Sequence, residues 1–451
     1  MRVVVIGGGG REHALVWKIS QSPTVRGRRD LLCIPGNKGI ESLAECLPAP
    51  AGGLANVTAL ADLAVHQRAG LVVVGPELPL SLGLTDELSR RGVPAFGASR
   101  AASQLEASKA FAKQFMARHG IPTAPFEVFS SLRESLSYLG SSDRRYPIVV
   151  KADGLAAGKG VVVADSRQEA EAAVTAMLQE KRFGAAGEKV VIEEHLSGIE
   201  VSFFALTDGR TALPLATCQD YKRALEEDRG PNTGGMGAYS PSVEIDSRLE
   251  REIMHRIIRP AVRGMAAEGV PYLGVIYAGL MLTQAGPSVL EFNARFGDPE
   301  TQVLMPRLES DLVPLLLWAA GAEDRPEPPE EIRWTSDWAA CVVVASRGYP
   351  ESAESGRLIK GLESAAQVEQ TVVFHAGTSG STEDPGGSGA VTAGGRVLAV
   401  SSRGRDLKQA VERAYRSVAR IRFDGMQFRR DIGRSALSRL ESRGKLTSSE
   451  A

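Results

Sequence analysis

The alternation of short apolar runs with helix-length stretches over the first hundred residues constrains the fold more than any other feature of this sequence. The apolar runs lie at residues 3–6, 31–34, 71–74 and 94–96, and the helical patterns begin at about residue 12 and lie near 57–67 and 82–91. Strands and helices that alternate at this spacing form βαβ units around a parallel sheet. We therefore predict an α/β, Rossmann-like N-terminal domain over residues 1–102.

The pattern changes after a helix predicted at residues 102–119, which ends before Gly120 and Pro122. Further strands are predicted at residues 147–152, 160–164, 189–194, 201–206, 275–283 and 288–293, with helices at about 166–181 and 248–268. Antiparallel pairs with helices on one side are typical of an α+β domain. We place this domain at residues 103–326, with an inserted lid subdomain at about 122–192.

A segment rich in proline and acid at residues 324–331 is the best linker candidate. The pattern beyond it predicts strands at 339–345, 372–374 and 396–400, a helix at about 406–421 and a flexible surface loop at 379–389. These elements indicate a small mixed α/β C-terminal domain at residues 332–433, followed by a polar tail at 434–451. Three domains agree with a length of 451 residues at about 150 residues per domain.

The charge balance excludes a dedicated nucleic-acid binder, because 53 Lys and Arg oppose 54 Asp and Glu and no basic block is present. The four cysteines form no CxxC pair, which argues against a zinc cluster or a disulfide framework. The longest apolar run, near residues 312–320, is too short to span a bilayer, and residues 2–6 resemble a strand rather than a signal peptide. We expect a cytoplasmic protein with no nucleic-acid or membrane partner.

Glycine is over-represented, at 48 of 451 residues against an average of about 7%. Its first cluster, residues 7–10, lies between the first strand and helix, where free backbone amides suit an anion. Glu12 and His13 stand where a dinucleotide fingerprint needs its third glycine, so a small phosphorylated ligand fits better than NAD. The alternative is a tight turn that requires glycine. At the next strand end, Glu77 of Gly75-Pro76-Glu77 either binds a ribose or amine or caps its loop.

A second glycine cluster extends from Lys151 to Gly160. It is not a P-loop, because glycine follows Lys159 where Ser or Thr is needed, and a strand follows where a helix is needed. A glycine-rich hairpin that carries one lysine, with another on the preceding strand, can close over triphosphate oxygens and exclude water. Because Gly-Lys-Gly turns are common, this cluster alone is a weak signal.

Glu291 and Asn293 lie at i and i+2 of a predicted strand, so both side chains are expected on one face. Their oxygens suit one or two Mg²⁺ ions completed by phosphate oxygens and water, which we favour over a structural ion pair. Arg295 follows and can stabilise charge on a transferring phosphoryl group. Its alternative role is a bridge to Asp298 that holds the loop.

The third glycine cluster, residues 230–237, follows Asp220 and Lys222 and has too irregular a pattern for helix or strand. A glycine-lined loop can approach a very small substrate closely. A substrate loop and a plain spacer are equally consistent with this composition.

Seven segments, taken together and in this order, resemble the phosphoribosylamine-glycine ligase family of the ATP-grasp superfamily. They are residues 6–15 (IGGGGREHAL), 74–77 (VGPE), 108–111 (SKAF), 151–161 (KADGLAAGKGV), 231–241 (PNTGGMGAYSP), 291–300 (EFNARFGDPE) and 375–378 (HAGT). The resemblance extends from residue 1 to about 433, and it implies that the α+β domain is an ATP-grasp domain.

The resemblance implies an ATP-dependent carbon-nitrogen ligase that joins glycine to 5-phosphoribosylamine in de novo purine biosynthesis. The glycine carboxylate would attack the γ-phosphate of ATP, and the ribosylamine nitrogen would then displace phosphate from glycyl phosphate to give glycinamide ribonucleotide. The implied cofactors are ATP, as co-substrate, and Mg²⁺ or Mn²⁺. The implied partners are the two small substrates and, transiently, the enzyme that supplies phosphoribosylamine; we expect a monomer.

The resemblance also implies three groups of site residues, matched by position. The ATP phosphates would be bound by Lys109, Lys151, Gly158, Lys159 and Gly160, and the metal by Glu291 and Asn293. Adenine would be held, largely through backbone groups, by a hinge of Glu193, Glu194 and Leu196, with Glu200 as the ribose-binding carboxylate. Phosphoribosylamine would be bound by Gly8, Gly9, Gly10, Arg11, Glu12, His13, Gly75, Pro76 and Glu77. The glycine and acyl-transfer region would contain Asp220, Asn232, Thr233, Gly234 and Gly235, with Lys222, Arg295 and Asp298 as catalytic residues.

Two alternatives stay open. Within the superfamily, a carboxylase or formate-activating enzyme could act on a purine-pathway ribonucleotide, although residues 232–237 with Asp298 favour an amino acid that carries an ammonium group. A non-catalytic nucleotide sensor belongs to a different class, and the presence of Glu291, Asn293, Lys109 and Lys151 argues against it.

Overall fold

The N-terminal domain contains five strands, all paired in parallel. The computed structural model describes residues 1–155, 160–322, 326–381 and 389–449. The strands lie in the spatial order Glu45–Cys46, Leu31–Pro35, Val3–Gly7, Leu71–Val74 and Ala95–Phe96, and the helices are Gly10–Ile19, Val57–His66, Glu77–Ser81 and Leu84–Arg90. The predicted parallel sheet is confirmed. The helix predicted near 82–91 is found at Leu84–Arg90, and Gly83, with φ +89°, separates it from a short helix at Glu77–Ser81.

The middle domain contains two antiparallel sheets. The core sheet has the order Ala212–Pro214, Ile199–Asp208, Leu273–Thr283, Gly286–Asn293, and the lid sheet has the order Phe126–Phe129, Val190–Glu194, Ile148–Ala152, Val161–Ala164. The helices are Gln104–Ala107, Lys109–Arg118, Leu132–Leu139, Arg167–Leu178, Ser247–Ile253, Met254–Ile258 of π type, Arg259–Ala267, Thr301–Arg307 and Leu312–Ala319. This arrangement confirms the α+β prediction.

The helix predicted at 102–119 is broken at Ser108, and the break positions a site residue. The Ser108 hydroxyl accepts a hydrogen bond from Phe111 N (3.0 Å) and donates one to Asp153 Oδ1 (2.9 Å). Such an N-cap satisfies an otherwise unpaired amide and starts a new helix. Lys109 is therefore the first residue of that helix.

The C-terminal domain shares its main sheet with the glycine-rich segment of the middle domain. This C-terminal sheet has the order Gln219–Asp220, Gly237–Ser240, Trp338–Ala345, Arg396–Gly404, Thr371–His375. The remaining elements are Arg223–Leu225 paired with Arg229–Asn232, a small sheet of Leu358–Ile359, Ala390–Thr392 and Thr378–Gly380, and the helices Leu362–Ala366, Leu407–Val418 and Arg434–Ser449.

Our expectation that the third glycine cluster forms no strand was wrong. Gly237–Ser240 pairs with Trp338–Ala345, about a hundred residues later in the chain, so its strand conformation depends on a distant partner. Local composition carries little information about such pairing. The tail predicted from residue 434 forms the helix Arg434–Ser449. Among the described residues, no helix has the length and apolar character needed to cross a membrane.

One apolar core joins the three domains. Its buried members include Leu15 from the first domain, Trp318 from the second and Phe374 from the third. Trp17 packs edge-on against Phe374, with ring centroids 5.9 Å apart. Because well-packed cores transmit displacements rather than absorb them, this core couples the positions of the three domains.

Candidate active site

Three lysines surround Glu291 in the cleft between the lid sheet and the core sheet. Lys109 Nζ donates to Gly154 O (2.9 Å), Lys151 Nζ donates to Leu290 O (3.1 Å), and Lys222 Nζ lies 4.0 Å from Glu291 Oε1. Burial would raise the pKa of Glu291, but Lys222, Lys151 and Lys109 outweigh it, and the pKa is lowered. Lysines gathered around an ionised carboxylate suit a polyphosphate and the divalent metal that it carries.

Glu291 and Asn293 face the same side of the core sheet, as their spacing predicted. The Glu291 side chain is 39% exposed, and Asn293 is buried at 8% exposure. A Cβ on Gly279 of the neighbouring strand would lie 3.3 Å from Glu291 Cγ, so glycine leaves room for the carboxylate. No group of three acidic, His or Cys side chains suited to a metal occurs in the described residues. One carboxylate and one amide oxygen beside three lysines fit a divalent cation that shares phosphate oxygens with a substrate.

The Glu193 carboxylate points into the protein and forms ion pairs with Lys113 and Lys151. Burial lowers the pKa of Lys113 to about 8, against the opposing influence of Glu193. Sequence reasoning missed Lys113, although it lies four residues after Lys109 and hence on the same helix face. Because this carboxylate is occupied, Glu193 can offer a ligand mainly its backbone groups. Glu194 ends the same strand, and Leu196 follows it.

Glu200 is paired with Lys222 in the structure, so the ribose-binding carboxylate implied by the resemblance already has a cationic partner. Gly160 follows the lid hairpin, and its carbonyl accepts a hydrogen bond from Ala152 N (2.8 Å). Gly158 and Lys159 lie outside the described residues.

The start of the first helix faces two carboxylates of the protein itself. Glu12 accepts a hydrogen bond from Gly9 N (2.7 Å) and pairs with Arg11 (2.6 Å). Burial would raise the pKa of Asp298, but Arg396, Arg11 and the backbone amide of Arg11 lower it. These carboxylates occupy amides that we expected to face a phosphate, so a sugar hydroxyl or an amine is the better neighbour here.

Close packing explains two of the turn glycines without a ligand. A Cβ on Gly8 would overlap the carbonyl of Gly36, and one on Gly75 would overlap the Glu12 carboxylate. Gly10 is the first helical residue, and Pro76 precedes the helix that begins at Glu77. The tight-turn alternative therefore accounts for Gly8 and Gly75.

His13 is buried against His375 of the C-terminal domain. The backbone N–H of His375 donates to His13 Nδ1 (2.8 Å), and the Asn37 side chain donates to the carbonyls of Gly8 and His375 (2.8 Å each). Burial lowers the pKa of His13 to about 3 and that of His375 to about 4. Both rings are neutral at pH 7, and His13 carries its proton on Nε2, since Nδ1 is an acceptor.

Arg295 lies between Glu77 (3.3 Å) and Glu106 (2.9 Å). Burial would lower its pKa, but Glu106 and Glu77 outweigh it, and the pKa is raised. The alternative bridge from Arg295 to Asp298 does not form; Asp298 pairs instead with Arg396, at 3.4 Å. Sequence reasoning missed Glu106 because no local pattern links it to Arg295.

The glycine-rich loop of residues 232–235 also lies next to Asp298. Thr233 donates to Lys222 O from both its backbone N–H and its hydroxyl (2.8 Å each), which places Asn232, Gly234 and Gly235 beside the lysine cluster. Burial raises the pKa of nearby Asp220, whose Oδ1 lies 3.4 Å from Ser202 Oγ. Tyr277 continues this network to Glu300 (2.8 Å), and sequence reasoning missed Ser202, Tyr277 and Glu300 as members.

A lysine-lined cleft between a lid sheet and a core sheet, with an acidic side chain on the core sheet, defines an ATP-grasp enzyme. The chain matches the models of the phosphoribosylglycinamide synthetase N domain at residues 1–106, the ATP-grasp (A) domain at 107–301 and the C domain at 339–435. It belongs to the phosphoribosylglycinamide synthetase family.

Relatives and solved structures agree with this assignment. The chain is 49% identical to phosphoribosylamine-glycine ligase of Caulobacter vibrioides, over 97% of this chain and 99% of the relative. It is 47% identical to that of Salmonella typhimurium, with the same coverage. The crystal structure of phosphoribosylamine-glycine ligase from Thermotoga maritima matches with a TM-score of 0.80 at 32% identity, over 96% of this chain and 100% of that chain. A biotin carboxylase from Campylobacter jejuni shares the fold, with a TM-score of 0.71, 13% identity and coverage of 95% and 93%.

Proposed function

We propose that this enzyme joins glycine to 5-phosphoribosylamine at the expense of ATP, giving glycinamide ribonucleotide, ADP and phosphate in purine biosynthesis. The observation that carries the proposal is the cleft in which Lys109, Lys151 and Lys222 surround Glu291 next to Asn293. Family membership indicates the two substrates, glycine, which ATP activates, and phosphoribosylamine, which accepts the activated glycyl group.

Lys109 and Lys151 bind the ATP phosphates, and the backbone of the Glu193 hinge binds adenine. Glu291 and Asn293 hold Mg²⁺, which Mn²⁺ can replace because both accept oxygen ligands. When bound, the metal neutralises phosphate charge and orients the γ-phosphate. Glu200 meets the ribose only if Lys222 releases it, which we expect when phosphate enters the cleft.

Glycine lies beside the loop of Asn232, Thr233, Gly234 and Gly235, and Asp220 and Asp298 face its ammonium group. Its carboxylate attacks the γ-phosphate near Lys222 and Arg295, which stabilise the charge on the transferring phosphoryl group. The bond from the γ-phosphorus to the bridging oxygen breaks, so ADP leaves and glycyl phosphate forms. Arg295 suits this role because Glu77 and Glu106 fix its guanidinium.

The ribosylamine nitrogen then displaces phosphate from glycyl phosphate. We place phosphoribosylamine against residues 8–13 and 75–77, with the sugar and amine facing Glu12 and Glu77. The acyl phosphate hydrolyses readily, so the lid and the glycine-rich loop must exclude water while it exists.

The test is an ADP-release assay in which glycine and phosphoribosylamine are omitted in turn. We expect ADP only when glycine is present, and glycinamide ribonucleotide only when both substrates are present. ADP release that requires bicarbonate or formate in place of glycine would favour the carboxylase-type alternative and overturn the proposal.

We also propose that the enzyme is a cytoplasmic monomer that meets the supplier of phosphoribosylamine transiently. Analytical ultracentrifugation tests the monomeric state. A coupled assay with the supplying enzyme and a competing phosphoribosylamine trap tests the transient contact.

A further inference from the structure

One arginine of the C-terminal domain reaches the part of the site assigned to phosphoribosylamine and glycine. We call this part the acceptor end; it comprises residues 8–13, 75–77 and 232–235 with Arg295 and Asp298. Arg396 is the first residue of the strand Arg396–Gly404. Its Nη1 donates to Gly234 O (2.6 Å) and to Asp298 O (2.7 Å), and its Nη2 lies 3.4 Å from Asp298 Oδ2. A single guanidinium thus links the glycine-rich loop to the turn that follows Arg295.

The loop fits closely around this arginine. A Cβ on Gly234 would lie 2.9 Å from Arg396 Cζ, and one on Gly235, which adopts φ +113°, would overlap the ring of Pro299. The backbone N–H of Gly234 donates to the Tyr349 hydroxyl (3.1 Å), also from the C-terminal domain. Both backbone polar groups of Gly234 are therefore bound by the C-terminal domain, since Arg396 takes the carbonyl.

Asp298 connects the Arg396 contact to the loop assigned to phosphoribosylamine, residues 8–13. A Cβ on Gly9 would lie 3.5 Å from Asp298 Oδ2, so the carboxylate stands between the loop assigned to phosphoribosylamine and the one assigned to glycine. The Gln302 side chain donates to its other oxygen (2.8 Å). A displacement of Arg396 would consequently move Asp298 relative to both loops.

We infer that Arg396, assisted by Tyr349, is a positioning residue through which the C-terminal domain sets the geometry of the glycine site. This inference rests on the proposed function, since it takes glycine as the ligand of the loop. It requires an arginine, because a planar fork binds three oxygens at fixed angles, whereas a lysine ammonium is a point charge on a flexible stem.

The test measures KM for glycine and for ATP separately in three variants. For Arg396→Ala we expect glycine KM to rise about 30-fold, because hydrogen bonds from a charged donor are lost. For Arg396→Lys we expect a rise of about 10-fold, and for Tyr349→Phe about 3-fold, because fewer bonds are lost. KM for ATP should stay within about twofold of wild type throughout, since the nucleotide end has its own lysines.

Arg403→Ala is the matched control, because Arg403 lies on the same strand, where it pairs with Asp337 at 3.7 Å and with Gln370, away from the site. It should leave both KM values unchanged. If Arg396→Ala does not fold, the Lys and Phe variants carry the test.

Equal increases in KM for glycine and ATP, or a fall in kcat with unchanged glycine KM, would overturn the inference. These outcomes are distinct from failure of the proposed function. If wild-type ADP release does not require glycine, the proposed function fails. If wild type requires glycine and the Arg396 and Tyr349 variants keep its KM, only the inference fails.

Discussion

The two ends of the active site differ in how their charged side chains are arranged. At the nucleotide end, Lys109, Lys151 and Lys222 gather around the partly exposed Glu291. At the acceptor end, each arginine is matched by carboxylates, as Arg295 is by Glu77 and Glu106. Lysine ammonium groups are point charges on flexible stems, and Lys151 and Lys222 also pair with Glu193 and Glu200, whereas the arginines are planar groups held in one orientation by their carboxylates.

This difference indicates what each end can bind. Flexible lysines can turn from protein carboxylates to the oxygens of a polyphosphate, and a carboxylate among them favours a divalent metal carried by that polyanion. A balanced set of ion pairs offers oriented groups rather than net charge, which suits a zwitterion such as glycine and an amine. The class of ligand that each end suits therefore follows from the way its charged side chains are held.

The largest expected effect concerns the carboxylate at the nucleotide end. Glu291→Gln should lower kcat/KM for ATP by at least about 100-fold, because an amide binds a divalent cation far less well than a carboxylate. Steady-state kinetics over a range of Mg²⁺ concentrations measure this effect.

Glu252→Gln is the control for that variant, because Glu252 lies in an exposed pair with Arg256, remote from the cleft. It should behave as wild type. Wild-type activity of Glu291→Gln at limiting Mg²⁺ would move the metal site elsewhere and remove the contrast between the two ends.

The next effect concerns the stability of the nucleotide end. Glu193→Gln leaves Lys113 and Lys151 buried without their carboxylate, and loss of one partner from a buried ion pair destabilises by about 3 kcal/mol or more. Urea unfolding measures this change, and added ADP should restore part of the lost stability because its phosphates supply the missing negative charge.

Glu171→Gln provides the comparison, since Glu171 pairs with Arg167 on a helix surface, where such pairs contribute about 0.3–0.5 kcal/mol. If both variants change stability equally, burial of the Glu193 cluster has no energetic importance.

The smallest expected effect, per pH unit and per histidine, is the acid sensitivity of the acceptor end. His13 and His375 have pKa values of about 3 and 4, below the ordinary value of 6.5. As pH falls from 6.5 towards 4, the unfolded chain therefore binds protons that the folded chain does not. The free energy of unfolding should fall with acid, by up to about 1.4 kcal/mol per pH unit for each histidine.

Chemical denaturation at pH 7, 6 and 5 measures this slope. His375→Gln should flatten it, and His66→Gln, which changes an exposed histidine, should leave it as in wild type. An unchanged slope in His375→Gln would show that the buried pair is not the source of acid sensitivity.

The sequence predicted the regular parts of the fold well. The strands at residues 3–6, 31–34 and 71–74 were found almost to the residue, because buried parallel strands are continuous apolar runs. It failed at residues 220–240, where the strand Gly237–Ser240 pairs along its whole length with the distant strand Trp338–Ala345. Periodicity reports local burial and contains no information about a distant pairing partner.

The same division applies to the site. The i and i+2 spacing of Glu291 and Asn293 predicted their shared face, since strand geometry alone decides it. The pairing of Arg295 with Glu106 was not predictable, because about 190 residues separate them and no local periodicity connects them. Arg396 was missed for the same reason, as its strand belongs to another domain.

By itself, then, the sequence determined which residue types were available and which strands and loops would present them, because backbone periodicity and glycine-rich turns are local properties. The tertiary structure decided which of the charged side chains lie close enough to form ion pairs. That outcome depends on packing three domains around one core, since a pKa and an ion pair are set by neighbours in space rather than by neighbours in the chain.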